Sequence, residues 1–204
     1  MPCPEKFKQS LERFGVDGEV IARINQGYEA LASKSPKRER AAYFKRAVDI
    51  MEECLAPEEM QKILEWNACC RSGKIERAAR AFAQAHAGDS LEERLERIGE
   101  EYSDVLGAPL RSCLWVPVRN EDGTFTVTGG SIDGGRYACG CSQFSRLKLP
   151  YDVSRSYCFC CGGHFQYHYE IMLGMKLKVV EIVSSPLDSG GRRPCAIRFA
   201  AAGE

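Results

Sequence analysis

Long hydrophobic runs, an excess of charge of either sign and an opening signal segment are all missing from this sequence of 204 residues. No apolar stretch approaches the roughly 18 residues that predict a membrane-spanning helix, and residues 1–5 do not begin a secretory signal. The 28 basic residues equal the 28 acidic ones, which argues against binding to nucleic acid or a membrane through a general basic surface. We therefore expect a cytoplasmic protein with neither a nucleic-acid nor a membrane partner.

Two common catalytic patterns are incomplete in the sequence. The glycine pairs at 129–130 and 134–135 lack the Lys-Ser/Thr of a phosphate-binding loop and the spacing of a dinucleotide-binding fingerprint. His164 and His168 stand four residues apart, as in zinc hydrolases, but Phe165 occupies the position where those enzymes have a glutamate. The sequence thus argues against a nucleotide site and against a metallopeptidase.

Composition divides the chain after Gly107. Residues 1–107 hold 37 charged residues, and their apolar residues recur at helical spacing. Residues 108–204 hold 19 charged residues and 7 of the 11 cysteines. We predict a helical region over 1–107 and a cysteine-rich α+β ligand-binding domain over 108–204.

Prolines and capping residues predict six helices in the first region. Ser90 and Glu93 have the spacing of a capping box, in which each side chain bonds the backbone N–H of the other residue. The opening signals, or the first apolar residues, of the six helices are Pro4, Val20, Ser35, Pro57, Ile75 and Ser90.

The second region changes to the period of two that is typical of strands. Segments 114–118 and 124–128, joined by an Asp-Gly turn, predict a hairpin whose first strand lies at a sheet edge because it contains Pro117. A helix over 164–173 is predicted to end at Gly174, and strands are predicted over 176–184 and 194–200. The predicted fold class is α+β, with a helical N-terminal region followed by an antiparallel sheet and a helix packed on it.

Cysteine is the residue type that the sequence has in excess. Two short groups stand 17 residues apart, and soft divalent metals are usually held by such paired ligands. The first pair is spaced Cys-x-Cys rather than Cys-x-x-Cys, so reactive or redox-active thiols and plain core packing stay open as alternatives. The candidate thiol ligands are Cys139, Cys141, Cys158, Cys160, Cys161 and Cys195. Cys69 and Cys70 are either core residues or a further ligand, and Cys3, Cys54 and Cys113 are interpreted as structural.

A histidine pair and one carboxylate complete the set of candidates. His164 and His168 share one face of the predicted helix and would line a ligand pocket or support a cysteine site. Glu181 lies in the apolar row of Leu177, Val179 and Val183. If that row faces inward, the buried carboxylate needs a metal or another partner, whereas the opposite orientation leaves it exposed.

Four segments of the second half run in a recognisable order. They are YCFCCGGHF at 157–165, YE and LG within 169–174, VVEIVSS at 179–185 and PCAIRF at 194–199. This stretch, about a fifth of the chain, resembles the C-terminal part of four-vinyl-reductase-like domains. It is more similar to a bacterial set that includes the 2-aminothiazoline-4-carboxylate hydrolase-like proteins and allied cysteine-rich families.

The resemblance implies an α/β domain that encloses a small apolar or aromatic ligand, with a structural zinc beside it in several relatives. In the zinc-bearing sensors of the group, the ligands would correspond to Cys158 or Cys161, to Glu181 and to Cys195. Ser184 stands where the pattern has another cysteine, so Cys160 or the Cys139 and Cys141 pair would have to replace it.

We expect a small-molecule-binding protein with a cysteine-rich zinc site, and a homodimer is the candidate assembly. The alternative is an enzyme, a metal- or thiol-dependent hydrolase of a cyclic amidine such as an aminothiazoline carboxylate. In that case a metal-bound water or a Cys161 thiolate activated by His164 would attack the ring, and Glu181 or His168 would move the proton. A third possibility is that every cysteine only packs the core.

Overall fold

The computed structural model describes residues 3–68, 73–105, 116–145, 147 and 152–202. Within those ranges, six helices precede a four-stranded antiparallel sheet that packs against a long seventh helix, as the α+β prediction requires. None of the helices in the described ranges is long and apolar enough to cross a membrane. The helices are α1 Pro4–Arg13, α2 Gly18–Asn25, α3 Lys37–Cys54, α4 Pro57–Trp66, α5 Lys74–Ala85, α6 Leu91–Val105 and α7 Phe159–Leu173. The strands are β1 Val116–Arg119, β2 Phe125–Gly129, β3 Ser131–Asp133, β4 Arg136–Ala138, β5 Leu177–Ser184 and β6 Cys195–Ala201.

Local side-chain caps fix several helix starts. The capping box before α6 is confirmed, since Ser90 Oγ accepts from the Glu93 amide and Glu93 Oε2 accepts from the Ser90 amide. Before α3, however, the predicted cap at Ser35 is wrong, because Pro36 occupies the N-cap position without a side-chain hydrogen bond. The Ser35 hydroxyl instead accepts from the Ala32 amide in the preceding turn.

The sheet has the strand order β1-β2-β6-β5, and every neighbouring pair is antiparallel. Pro117 lies in the edge strand β1, as predicted from its missing N–H. At the other edge, carbonyl groups of β5 accept hydrogen bonds from side chains rather than from a further strand. Gln166 donates to Leu177 O at 2.7 Å, and Gln61 donates to Val179 O at 2.9 Å. Helices α7 and α4 thus cover the edge that would otherwise pair with another chain.

Helix α7 is the central element, since it packs on the sheet with one face and on α4 and α5 with others. Tyr169 of α7 is fully buried against Phe125 and Phe199 of the sheet, with ring centroids 6.4 and 6.1 Å away. The helix begins at Phe159, five residues earlier than predicted, and so includes the Gly162-Gly163 pair. These two glycines let the helix come close to its neighbours: added Cβ atoms would lie 3.1 Å from Val179 of β5 and 2.9 Å from a backbone carbonyl of α4, respectively.

A two-stranded hairpin, β3 with β4, forms from the glycine-rich stretch that carried no strand prediction. Gly134 and Gly135 both have positive φ, as a two-residue hairpin turn of this kind requires. The Tyr137 amide donates to the Gly191 carbonyl at 2.8 Å, which ties the hairpin to the connection between β5 and β6. The hairpin thereby carries the segment after β4 to the end of the main sheet.

The predicted division into two regions stays a prediction. Its boundary at 107 and 108 lies outside the described residues, as do Cys69, Cys70 and Cys113. The buried apolar side chains of both halves form one connected core, with α4 and α5 in direct contact with α7.

Candidate functional site

Cysteines from three separate segments meet at the N-terminal end of α7. Cys139 and Cys141 follow strand β4, Cys158 precedes α7, Cys161 lies in its first turn, and Cys195 opens β6. Cys139, Cys141 and Cys158 are buried, whereas Cys161 and Cys195 are half-buried. We call these five residues the thiol cluster.

Hydrogen bonds and mutual electrostatic effects connect the members of the thiol cluster. The Cys161 thiol is hydrogen-bonded to Cys141, and Cys141 Sγ lies 3.4 Å from the hydroxyl of the buried Tyr157. Cys195 raises the pKa values of Cys139 and Cys158, and Cys158 in turn raises the pKa of Cys161. Two cysteine groups that are 17 residues apart in the sequence are thus neighbours in space.

Cys160 has a different environment from Cys161, although the two are adjacent in the chain. Successive residues of a helix point about 100° apart, so the two thiols leave α7 in different directions. Cys160 is buried, and its thiol donates to the backbone carbonyl of Asn67 at the end of α4, with a sulfur–oxygen distance of 3.4 Å. The hydrogen bond of this candidate ligand therefore goes to the helical region, although Cys160 also raises the pKa of the neighbouring Cys161.

Three thiols of the cluster, Cys139, Cys158 and Cys161, have raised pKa values, which favours their protonated form. Burial, followed by the Cys141 and Cys195 thiols, raises the pKa of Cys139, and burial also raises the pKa of Cys158 well above its ordinary value. For Cys161, the hydrogen bond with Cys141 comes first and burial second, and both raise the pKa. Thiols in such surroundings hold little thiolate at neutral pH and are poor nucleophiles.

Lys37 has a much smaller effect on the pKa of Cys139 than burial has. Lys37, at the start of α3, donates to the carbonyl and the hydroxyl of Ser145, in the turn that follows Cys141. It lowers the pKa of Cys139, but this effect is the smallest of those named above. Lys37 therefore anchors the turn more than it activates a thiol.

The thiol cluster has the donor atoms of a zinc site but not the arrangement of one. Thiolate sulfur is a preferred zinc ligand, and five thiols lie together. Within the described part of the chain, however, no three His, Cys, Asp or Glu side chains are placed so that they could hold one metal ion. Metal uptake would thus require the thiols to re-orient and to lose their protons.

Glu181 lies on the outer face of the sheet because of an irregularity in β5. The pairing with β6 shifts between Val179 and Glu181, so that Val179 and Ile182 are both buried while Glu181 is not. The Glu181 carboxylate lies 3.8 Å from the Arg198 guanidinium, and 45% of its side chain is exposed. Neither orientation that the sequence left open holds along the whole strand: Leu177 and Val179 face inward and Val180 is exposed, yet the shift leaves Glu181 partly exposed.

His164 and His168 lie side by side on α7, with ring centroids 4.7 Å apart. His168 is fully buried, and it faces α5, where it acts on Glu76. The pKa of Glu76 is lowered chiefly by its hydrogen bond with Arg80 and to a smaller extent by His168. His168 therefore lies at the contact between α7 and α5, and His164 packs beside it against Phe165. The strongest effects on the pKa values of Cys139, Cys158 and Cys161 come from burial and other cysteines.

A cleft of about 450 Å³ lies between α4 and α7, next to the end of α1. Sequence reasoning missed it, because its walls come from three helices that are far apart in the chain. The one local signal was Trp66, a large aromatic residue on a helix end beside charged neighbours. The side chains that define the cleft are Phe14, Lys62, Trp66, Gln166, Tyr167 and Lys176.

Comparison with protein-family profiles, with curated proteins and with solved structures found no match to this chain. The function must therefore be argued from the thiol cluster and the cleft themselves.

Proposed function

We propose that this chain is a small-molecule-binding protein whose thiol cluster takes up a soft metal ion, zinc in the first instance. The observation that supports the metal is the convergence of Cys139, Cys141, Cys158, Cys161 and Cys195 from three segments of the chain. A cleft of suitable size on another face of α7 supports the small molecule.

Packing alone gives no reason for this choice of residue. A buried position needs only an apolar side chain of the right volume, and alanine, valine or leucine fill such positions as well as cysteine. If the cysteines only packed the core, the end of β4, the start of α7 and the start of β6 would each place a thiol at the same point although no thiol chemistry was needed there. Binding of one metal ion accounts for about four of the five thiols, because thiolates are the ligands that soft divalent ions prefer.

The residues around the cluster hold the thiols in place. Cys158 Sγ donates to the Ser185 hydroxyl at 3.2 Å, and that hydroxyl also accepts from the Leu187 amide at 3.1 Å. Cys141 Sγ and the Tyr157 hydroxyl form a hydrogen bond at 3.4 Å in which either group can donate, and the Tyr157 ring packs against Phe144 with centroids 4.9 Å apart. Such hydroxyl partners orient sulfur ligands and tune their basicity when a metal is bound.

A binding role accounts for the arrangement better than the hydrolase does. A thiol-dependent hydrolase needs a nucleophile with a low pKa next to a base, whereas the pKa of Cys161 is raised by Cys141 and by burial. His164 contacts His168 and Phe165 on α7, and Glu181 pairs with Arg198 outside. We accordingly place the metal in a structural or sensing role.

Elemental analysis of untagged protein, expressed in cells that are supplied with zinc, tests whether the thiol cluster binds a metal ion. About one equivalent of zinc is expected, together with protection of about four thiols from a thiol reagent. Cys158→Ser is expected to lose the metal, whereas Cys54→Ser, which removes an exposed cysteine on α3, should keep it. Metal-free wild type that shows no zinc uptake in a competition titration and reacts at every thiol after unfolding would refute the metal site.

A further inference from the structure

The cleft between α4 and α7 has aromatic walls at one end. The rings of Trp66 and Phe14 meet edge to face, with centroids 6.3 Å apart, and Tyr167 of α7 lies on the opposite side. A volume of about 450 Å³ suits a ligand of one or two fused rings. Aromatic side chains of this kind pack against planar rings, either offset or edge to face.

The charge around the cleft favours an anion. Lys62 and Lys176 line it, and Lys6 and Arg13 lie over the Trp66 ring, with the Lys6 ammonium 4.4 Å from the ring centroid. The lining itself is balanced, with the carboxylates Glu65 and Glu170 against its two lysines, so the positive excess comes from Lys6 and Arg13 beside the cleft.

The carboxylates are already engaged, whereas one cation is not. Glu170 accepts from the Leu177 amide and from Lys176, at 3.1 and 3.2 Å, and Glu65 accepts from Gln61 at 2.7 Å. Among the described residues, Lys62 makes no ion pair and no side-chain hydrogen bond. Its ammonium group is therefore available to an incoming anion.

We propose that the cleft binds a small planar aromatic anion, whose ring packs between Trp66 and Tyr167 and whose carboxylate pairs with Lys62. This inference rests on the small-molecule part of the proposed function and names its ligand class. It does not depend on the thiol cluster, because none of the lining residues is a cysteine.

Calorimetric titration with naphthalene-2-carboxylate tests the proposal, and the neutral naphthalene-2-carboxamide is the matched probe. The wild type is expected to bind the carboxylate about two- to five-fold more tightly than the carboxamide at low salt, as for one solvent-exposed ion pair. The preference should shrink as the salt concentration rises. Equal affinity for both probes, or no binding of either, would overturn the proposal.

Three variants locate the site. Lys62→Gln is expected to remove the preference for the carboxylate, and Trp66→Leu to weaken both probes. Lys178→Gln, which removes an exposed lysine of β5 outside the cleft, should change neither. A preference that survives in Lys62→Gln would refute the assigned anion site.

The same titration on metal-free and zinc-treated protein separates the two proposals. Binding at the cleft should be equal in both samples, and Lys62→Gln should keep the zinc content of the wild type. Loss of aromatic-anion binding in Cys158→Ser, with binding intact in Lys62→Gln, would place the ligand at the thiol cluster and overturn the cleft assignment.

Discussion

Raising the pH of metal-free protein from about 7 to about 10 is expected to destabilise it strongly through the buried thiols. Cys139 and Cys158 have raised pKa values in the folded state, so they stay protonated where the thiols of the unfolded chain ionise. The stabilising contribution of such a group is complete below the unfolded pKa and is lost as the pH rises above it.

The size of the effect follows from the unfolded pKa of cysteine. With that value at about 8.5, each thiol that remains protonated in the folded protein lowers the free energy of unfolding by about 2 kcal/mol at pH about 10. Cys139 and Cys158 together account for about 4 kcal/mol of the free energy of unfolding, a large share of the ~5–15 kcal/mol typical of a folded domain. Cys161 and Tyr157, whose pKa values are also raised, act in the same direction.

Urea unfolding followed by circular dichroism, with chelator and reductant present, measures this free energy between pH about 7 and about 10. The double variant Cys139→Ala and Cys158→Ala is expected to lose about 4 kcal/mol less than the wild type over that range. Cys54→Ala, which removes an exposed thiol outside the cluster, should follow the wild type. If the wild type and the double variant showed equal slopes, the cluster thiols would not be buried in protonated form.

Three further substitutions test separate parts of the structure. Hydrogen bonds from Ser33 lower the pKa of Glu5 to about 2. The stabilisation that they provide is therefore complete above the ordinary pKa of 4.5 and is lost as the pH falls toward 2. In melting temperatures measured against pH, Glu5→Gln should reduce the decrease over this acid range. Gly163→Ala should destabilise by about 1–3 kcal/mol in urea, since its Cβ would lie 2.9 Å from an α4 carbonyl, whereas Gly18→Ala, with open space around it, should be neutral or stabilising. Asn67→Ala should cost about 1–3 kcal/mol in the same assay, because the buried Asn67 amide links α4 to α1 through Ser10 at 2.7 Å.

Features that depend on a few neighbouring residues could be predicted well. A single local requirement, for a hydrogen bond or a backbone angle, decides each of three features. They are the capping box at Ser90 and Glu93, the edge position of Pro117 and the helix end at Gly174. The alternation of side chains with a period of two also predicted strands β5 and β6, because it depends only on successive residues. In each case the relevant interaction partners lie within a few positions of each other.

Features that depend on distant partners were missed or stayed open. The start of α7 was placed too late, because Gly162 and Gly163 discourage a helix in isolation and are tolerated only through close packing on β5 and α4. The orientation of Glu181 could not be decided, since an irregular pairing with β6 interrupts the alternation of β5.

Local sequence patterns were sufficient for the α+β class, for the order of most helices and strands, and for the residue types from which a thiol site could be built. The contact between Cys141 and Cys161, the bond of Cys160 to the end of α4, and the cleft between α1, α4 and α7 became visible only in the folded chain. The physical reason is that secondary structure follows from interactions over three or four residues, whereas a site requires side chains from remote segments to be buried against each other. That juxtaposition is set by the packing of α7 between the sheet and the N-terminal helices, which no local pattern records.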